Sequence, residues 1–371
     1  MNKLLKIKLK PIEHVVCAAI RFTPPDNLQN LYQVVNDTEL FEFAQQNRVE
    51  SIVAHSLIES LGAVQTPAHW REAHEQTTKR ISDYMAKLDE LSEHLAQKGV
   101  ELIALKNGGI ARAGIACIGC VPMGDIDLLI KEKDFNASHQ TLFDLGYTLC
   151  FRNPLIINDL ASALVEGGGE YWKILPSSEK FWLELQWRAV AGRWINKTQE
   201  PDSNELFSRS RSIAETKVRL LCPEDNLLQV CLHTAKHSYV RAPGIRLHLD
   251  VDRIVNYYSI DWKKFIAMAI NAQIKTAVYF SLLMPKILFE TPIPDEVLKS
   301  FHPGTIKTAL IARLIVRAGI FNPDKQKFSR FVYVFLNVLL YDNYRQLTYS
   351  ILSKVGNFSQ LKDLVFKRIN T

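Results

Sequence analysis

The chain has 371 residues, 47% of them hydrophobic, which is enough for two or three hydrophobic cores. A formal net charge of +6 suits a polyanionic ligand such as a nucleotide, or weak attraction to nucleic acid, without demanding either. The longest apolar runs are too short to span a bilayer, and six scattered cysteines favour reduced thiols over a disulfide framework, so we expect a cytoplasmic protein with no transmembrane segment.

Hydrophobic periodicity divides the chain into four regions. Residues 38–62 and 68–98 are predicted to form two amphipathic helices within an N-terminal helical region, 1–98. Residues 99–190 carry the predicted strands, the polar segment 191–215 is the predicted linker, and 216–371 form a C-terminal helical domain. We therefore predict an α+β fold in which a small mixed β-sheet is flanked by N-terminal and C-terminal helical regions.

A glycine turn follows the first predicted strand. The apolar run 101–105 leads into Lys106-Asn107-Gly108-Gly109 and then into a helical pattern. Glycines at such a turn let backbone N–H groups approach a phosphate, and the start of a helix adds the positive end of its dipole. We expect Gly108 and Gly109, with Lys106 nearby, to bind a triphosphate, although most Gly-Gly pairs are ordinary turns.

Cys117-Ile-Gly-Cys120 has the spacing of metal-binding or redox-active cysteines. No second pair of this kind accompanies it in the sequence, so the spacing alone favours neither a zinc site nor a redox role.

Two carboxylates stand at i and i+2 in the next predicted strand, at Asp125 and Asp127. Alternation along a strand points both to one face while Ile126 and Leu128 point into a core. Such a pair is costly to hold together without a cation, and paired carboxylates hold divalent metals against nucleotide phosphates. The other interpretation is two solvated acids on an edge strand.

A third carboxylate is predicted on a neighbouring strand. Two aromatic-rich runs, 170–175 and 181–188, surround a turn and predict a hairpin, with Glu184 in its second strand. We expect Glu184 to complete the metal site. The alternative is an ion pair between Glu184 and either Arg188 or Lys173 across the sheet.

A helix beginning at Pro223 carries His233 and His237 on one side. Zinc binding there would need a third ligand from His248, Asp250 or Asp252. We expect instead that His233 forms a hydrogen bond with Asp250 and that Lys236 or Arg246 reaches a nucleotide. Five residues are thus predicted to bind the nucleotide: Lys106, Gly108, Gly109, His233 and Lys236.

Over roughly residues 40–290 the chain resembles the bacterial uncharacterised nucleotidyltransferases of the DNA polymerase β superfamily. The resemblance rests on Leu105-Lys106-Asn107-Gly108, Met123-Gly124-Asp125-Ile126-Asp127-Leu128-Leu129, Leu183-Glu184-Leu185-Gln186-Trp187, His233 with His237, and Arg246-Leu247-His248-Leu249-Asp250. It implies transfer of a nucleoside monophosphate from an NTP with Mg²⁺ or Mn²⁺. By matching positions, Asp125, Asp127 and Glu184 would be catalytic metal ligands.

The acceptor is not identified by these motifs: a small molecule, a peptide or a protein is expected, and nucleic acid such as an RNA end is possible but not indicated. Three positions depart from the usual family pattern, namely Val121 in place of an arginine, Gln186 in place of a frequent histidine and Asn107 in place of a glycine. They support an alternative, a catalytically weak or inactive nucleotide-binding or scaffold protein of the same fold. A third alternative, RNA binding by the basic surface, lacks an aromatic and basic recognition motif.

Overall fold

A computed structural model describes residues 7–175, 179–190, 199–343 and Thr348. Its N-terminal part is helical, with α1 (Pro11–Ile20), α2 (Leu28–Gln33), α3 (Asp37–Gln46), α4 (Glu50–Leu61) and α5 (Ala68–Gln97). The helix predicted at 68–98 is confirmed as α5. The one predicted at 38–62 is divided into α3 and α4, because Arg48 between them adopts a left-handed φ of 57° and the Asn47 side chain donates to the Phe43 carbonyl.

In the described residues, one mixed sheet has the order β3-β4-β5-β2-β1-β7-β6. Its strands are β1 (Leu102–Ala104), β2 (Asp125–Leu129), β3 (Thr148–Leu149), β4 (Gly168–Ile174), β5 (Lys180–Gln186), β6 (Arg211–Ser212) and β7 (Val218–Leu220). Strand β2 lies between β5, which is parallel to it, and β1, which is antiparallel. The α+β fold with flanking helical regions is thus confirmed, as is the predicted hairpin, β4 and β5.

The sequence analysis placed the strands within residues 99–190. The structure also has strands beyond this range. β7 pairs in parallel with β1, and β6 pairs with β7, so residues at the end of the predicted linker and just after it complete one side of the sheet. Residues 191–198 of the linker lie outside the described part. Its remainder contains α9 (Ser203–Arg209), whose first turn is capped by the Asp202 side chain, as well as β6. The division into domains itself stays a prediction.

The other helices surround the sheet and build the C-terminal region. Around the sheet lie α6 (Lys106–Arg112), α7 (Phe135–Asp144) and α8 (Leu160–Glu166), with short 3-10 turns at Ile118–Cys120 and Glu132–Asp134. The C-terminal region contains α10 (Pro223–Lys236), α11 (Arg246–Tyr257), α12 (Trp262–Asn271), α13 (Lys275–Leu288), α14 (Asp295–Phe301), α15 (Thr305–Ala318) and α16 (Arg330–Leu339). Within the described residues, no helix combines the length and apolar composition that crossing a bilayer requires.

Two hydrophobic cores hold these elements together. One lies between the sheet and α5 and includes Ile126 and Leu128 of β2, which are fully buried as the alternation predicted. The other joins α1 and α4 to α10, α11 and α13. Burial of these apolar side chains, at about 25 cal/mol per Å², fixes β2 between its neighbours and so fixes the direction of Asp125 and Asp127.

Cys117 and Cys120 form a disulfide across the 3-10 turn, with their Cα atoms 5.0 Å apart. The expectation that all six cysteines are reduced thiols is therefore wrong for this pair. It holds for Cys17, Cys150, Cys222 and Cys231, which are free.

Candidate active site

The three predicted carboxylates come together on one face of the sheet. Asp127 of β2 and Glu184 of β5 are register partners on parallel strands, and Asp125 precedes Asp127 by two residues. Partners on adjacent strands share a face, as do residues at i and i+2. Asp127 is only 6% exposed. Because β2 is a central strand, the interpretation of two solvated acids on an edge strand is wrong.

A fourth carboxylate, Glu170, was missed by the sequence analysis. It is the register partner of Glu184 in the antiparallel hairpin, so it lies on the same face. The hairpin itself was predicted, but a one-residue change of register would have placed Glu170 on the opposite face. Only the paired structure shows that these two glutamates are neighbours.

Two cations neutralise this acidic face. Lys106 Nζ donates to Asp127 Oδ1 at 2.5 Å, and Arg152 Nη1 lies 2.7 Å from Asp125 Oδ2. Arg152 also donates through Nε to Glu170 Oε2 at 2.8 Å, so it bridges two carboxylates. Arg152 lies just after β3 and carried no signal in the sequence, because its partners are far from it along the chain.

The alternative ion pairs of Glu184 are absent from the described residues. Arg188 is paired with Glu200, and Lys173 Nζ donates to the Leu145 carbonyl at 2.8 Å. Both cations that could have neutralised Glu184 in a purely structural role are therefore engaged elsewhere.

The protonation of Asp127 and Glu184 is coupled. Burial, together with the charges of Asp125 and Glu184, raises the pKa of Asp127 to about 8 although Lys106 opposes the rise. Burial also acts to raise the pKa of Glu184, but Lys106, Lys236 and a hydrogen bond with Asp127 bring it below its ordinary value. The two carboxyl groups therefore titrate as a coupled pair, in which Asp127 is the harder of the two to ionise. An added cation would favour the ionised form of both.

The glycine turn differs from its predicted form, because α6 begins at Lys106 and includes both glycines. The N–H of Gly109 donates to the Leu105 carbonyl at 3.1 Å, so it is not available to a phosphate. A Cβ at Gly109 would lie 2.7 Å from the Ala104 carbonyl oxygen. The close packing of α6 on β1 therefore requires a glycine at this position. The N–H groups of Lys106, Asn107 and Gly108 are the ones that lack intrahelical acceptors.

Helix α10 brings one further cation to the carboxylates, together with two histidines. The ammonium of Lys236 acts on Glu184, and burial with the nearby charge of Lys106 lowers the pKa of Lys236. Burial and Lys106 also lower the pKa of His233 well below its ordinary value, and burial with Lys236 lowers that of His237 to about 3. Both histidines are therefore neutral at physiological pH.

The contacts predicted for His233 do not form. No hydrogen bond joins His233 and Asp250 in the described chain, and Asp250 Oδ1 is buried without a partner. Zinc binding by His233 and His237 lacks a third ligand there, since no His, Cys, Asp or Glu joins them at ligand distance. The expected candidate His248 instead contacts the Tyr239 carbonyl through Nε2 at 2.8 Å.

A cleft of about 1340 Å³ opens beside Glu184. Asp125 and Asp127, on the next strand, do not line it, so the carboxylate face meets the cleft at Glu184 and Glu170. Gln186 also lines it, with a buried Nε2 that has no hydrogen-bond partner. The cations along its wall are Arg188, Lys236, Arg241, Lys325, Lys327 and Arg330. The cleft is larger than most drug-sized pockets and is suited to an anionic ligand.

The positions that differ from the usual family pattern are now located. Val121 is fully buried in the core beneath the sheet, so an arginine there would enter an apolar environment. Gln186 is 4% exposed and lies at the end of β5, two residues after Glu184.

The family resemblance is supported by a family model, described as uncharacterised nucleotidyltransferase, that matches residues 33–290. This range extends from the last residue of α2 to the end of α13 and includes the carboxylates, Lys106, Arg152 and α10. No protein of curated function matches the chain. Since the model covers more than half of the sequence and contains the whole acidic face, the chain belongs to the uncharacterised nucleotidyltransferase family.

Proposed function

We propose that the protein transfers a nucleoside monophosphate from an NTP to an acceptor hydroxyl or similar group, as a metal-dependent enzyme of the DNA polymerase β-like superfamily. The observation that carries this proposal is the pairing of Asp127 with Glu184 on adjacent parallel strands, with Asp125 on the same face. A face of three acids beside a cleft with basic walls is suited to holding cations against a polyphosphate.

The acidic face fits Mg²⁺ or Mn²⁺ in donor type and charge. Carboxylate oxygens are the preferred protein ligands of these hard cations. The raised pKa of Asp127 reflects burial and carboxylate repulsion, so the site gains stability from added positive charge. We assign Asp125, Asp127 and Glu184 as the residues that would hold the metal. A divalent cation held by these residues would supply positive charge to stabilise the negative charge that develops on the phosphate oxygens during transfer.

The protein's own groups supply the remaining chemistry. Lys106 lies within hydrogen-bond distance of Asp127, and its ammonium can move to phosphate oxygens without leaving the site. Lys236 lines the cleft and can compensate charge on the departing pyrophosphate. Glu184, with a lowered pKa, is ionised and is placed to accept the proton of the acceptor.

The three other predicted nucleotide-binding residues have narrower roles. Gly108 can offer its N–H to a phosphate, whereas Gly109 acts through packing. His233 is neutral and half-buried near Lys106, so it contributes a polar group and no positive charge. The acceptor enters through the wide cleft, whose size accommodates a small molecule or an extended peptide or protein segment beside the nucleotide.

A catalytically weak nucleotide-binding protein of the same fold is the second candidate. The observation that favours it is that three of the acids already form ion pairs with cations of the protein. Lys106 pairs with Asp127, and Arg152 pairs with Asp125 and Glu170. In this case a nucleotide would bind through the basic walls of the cleft without metal and without release of pyrophosphate.

Thermal unfolding with each NTP, with and without Mg²⁺, separates these candidates, because a ligand that binds only the folded state raises the Tm. The enzyme is expected to show a shift that requires both components and is lost in Asp127→Asn. Pyrophosphate release with a panel of hydroxyl acceptors then tests turnover. A nucleotide shift that is independent of metal, without pyrophosphate release, would select the second candidate, and no shift at all would contradict both.

A further inference from the structure

A second group of ligand side chains lies outside the carboxylate face. His55 of α4, His74 of α5, Cys117 and Cys120 each direct one ligand atom into a common space, and these atoms lie within 4.8 Å of one another. Three separate parts of the chain contribute, since α4, α5 and the 3-10 turn pack against each other. The grouping therefore depends on the tertiary structure and is not a consequence of neighbouring sequence.

His74 is oriented by the backbone around it. Its Nδ1 lies 3.0 Å from the Ser51 carbonyl oxygen, a contact that needs the proton on Nδ1 and leaves the Nε2 lone pair free. A metal-bound histidine usually has its other nitrogen held by such an outer hydrogen bond. Ser51 Oγ in turn donates to the Gly119 carbonyl, between the two cysteines.

Gly119 is the residue that lets His74 approach the cysteine turn. A Cβ at Gly119 would lie 2.5 Å from His74 Cε1, which is closer than atoms can pack. A side chain at this position of the Cys-x-x-Cys turn would therefore collide with both the imidazole of His74 and, still closer, Thr78 Oγ1.

His55 completes the group from the other side. Its ring stacks on His74 with centroids 5.3 Å apart and an interplanar angle of 27°. In the described chain neither ring nitrogen of His55 has a hydrogen-bond partner. A disulfide by itself would leave the convergence of two imidazoles on the cysteine pair without an explanation.

We propose that His55, His74, Cys117 and Cys120 form a structural zinc site when the two cysteines are reduced. Zn–S bonds of about 2.3 Å and Zn–N bonds of about 2.0 Å in a tetrahedron separate ligand atoms by about 3.3–3.8 Å, within the spread found here. Two thiolates and two neutral imidazoles are a complete ligand set for a closed site. The disulfide and the zinc site are alternative states of one cysteine pair.

The site would fix the segment that leads into β2. Cys120 is followed after four residues by Asp125, and the Cys120 carbonyl accepts a hydrogen bond from Arg253 of α11 at 2.5 Å. A metal at this point would join α4 and α5 to the segment between the cysteine turn and Asp125, with α11 attached through Arg253. The proposal does not depend on nucleotidyl transfer.

The proposal is tested by measuring the zinc content of the full chain. The protein is purified with a phosphine reductant and then dialysed against metal-free buffer. We expect one zinc ion per chain, retained through dialysis. Replacement by Co²⁺ is expected to produce the visible absorption of a tetrahedral site, with thiolate charge-transfer bands in the near ultraviolet. Both signals are expected to be lost in Cys117→Ser, and the tetrahedral spectrum is expected to change in His74→Gln.

Matched controls are Cys150→Ser, a partly exposed free thiol outside the group, and His94→Gln, an exposed histidine of α5. Both are expected to keep the zinc and the Co²⁺ spectrum. If the variants fail to fold, Co²⁺ titration of the reduced natural chain remains decisive. Protein in which Cys117 and Cys120 are reduced and which binds neither ion would overturn the proposal, as would a Co²⁺ spectrum unchanged by His74→Gln.

Discussion

Lys106 and Asp127 form a buried ion pair, with Nζ 2.5 Å from Oδ1 and side chains 13% and 8% exposed. Glu184 lies beside Asp127 on the next strand, so one ammonium compensates both the buried Asp127 and the half-buried Glu184. Removing one member of such a pair leaves an uncompensated buried charge, whereas removing both can be nearly neutral. The free energy of unfolding therefore depends directly on the charges of the acidic face.

Lys106→Met is expected to destabilise the chain by about 3–5 kcal/mol, because it leaves Asp127 and Glu184 without their nearest cation. Urea unfolding at neutral pH measures the loss. In an Asp127→Asn background the same substitution is expected to cost clearly less, and Mg²⁺ should restore part of the stability of the single variant. Equal costs in both backgrounds would show that the two residues do not interact energetically.

Asp127→Asn is expected to change the pH dependence of stability. The pKa of Asp127 is raised from 3.8 to about 8, so above the unfolded pKa the folded chain binds a proton that the unfolded chain has lost. Stability therefore falls as pH rises through this window. The lowered pKa of Glu184 acts only below its ordinary value of 4.5, so it does not contribute at higher pH.

Urea midpoints measured between about pH 5 and 8 test this sign. The natural chain is expected to lose more stability across the range than Asp127→Asn, and saturating Mg²⁺ should reduce the difference. Asp26→Asn, an exposed acid far from the sheet in sequence, is the control and should follow the natural chain. A steeper loss in Asp127→Asn would contradict the raised pKa.

Arg152→Gln is expected to increase the affinity for Mn²⁺ several-fold in the absence of nucleotide. Arg152 bridges Asp125 and Glu170, so a metal must displace it before it can bind to Asp125. Titration calorimetry with Mn²⁺ alone measures the change. Arg188→Gln removes a cation that also lines the cleft but is paired with Glu200, and it should leave Mn²⁺ affinity unchanged. Weaker binding in Arg152→Gln would mean that the arginine organises the acids instead of competing with metal.

Gly109→Ala is expected to destabilise the protein by about 1–3 kcal/mol through overpacking, despite the higher helix propensity of alanine. The added Cβ would meet the Ala104 carbonyl oxygen at 2.7 Å, and a backbone atom cannot move aside as a side chain can. Gly108→Ala is the matched control, since its Cβ would meet only Ile126 Cγ2, at 3.3 Å. Thermal unfolding should rank Gly109→Ala as the less stable variant, and the reverse order would contradict the packing role.

The acidic face could be predicted in part because its signals are local. Alternation along β2 fixes the common direction of Asp125 and Asp127, and the apolar residues around Glu184 indicate a buried strand. The family resemblance added the role that we propose for these acids, and the matching family model covers all of them. A long series of apolar residues at helical spacing likewise predicted α5 over almost its full length.

The tertiary structure decided everything that depends on register and on contacts between distant segments. Glu170 and Arg152 join the acids only through the pairing of β4 with β5 and the position of β3, and β6 and β7 join the sheet from beyond residue 210. His55 and His74 meet the cysteine turn because α4 and α5 pack against it. Local periodicity determines which face of a strand or helix a residue occupies. Which faces pack together depends on the apolar surface that the whole chain buries, and this cannot be read from any single segment.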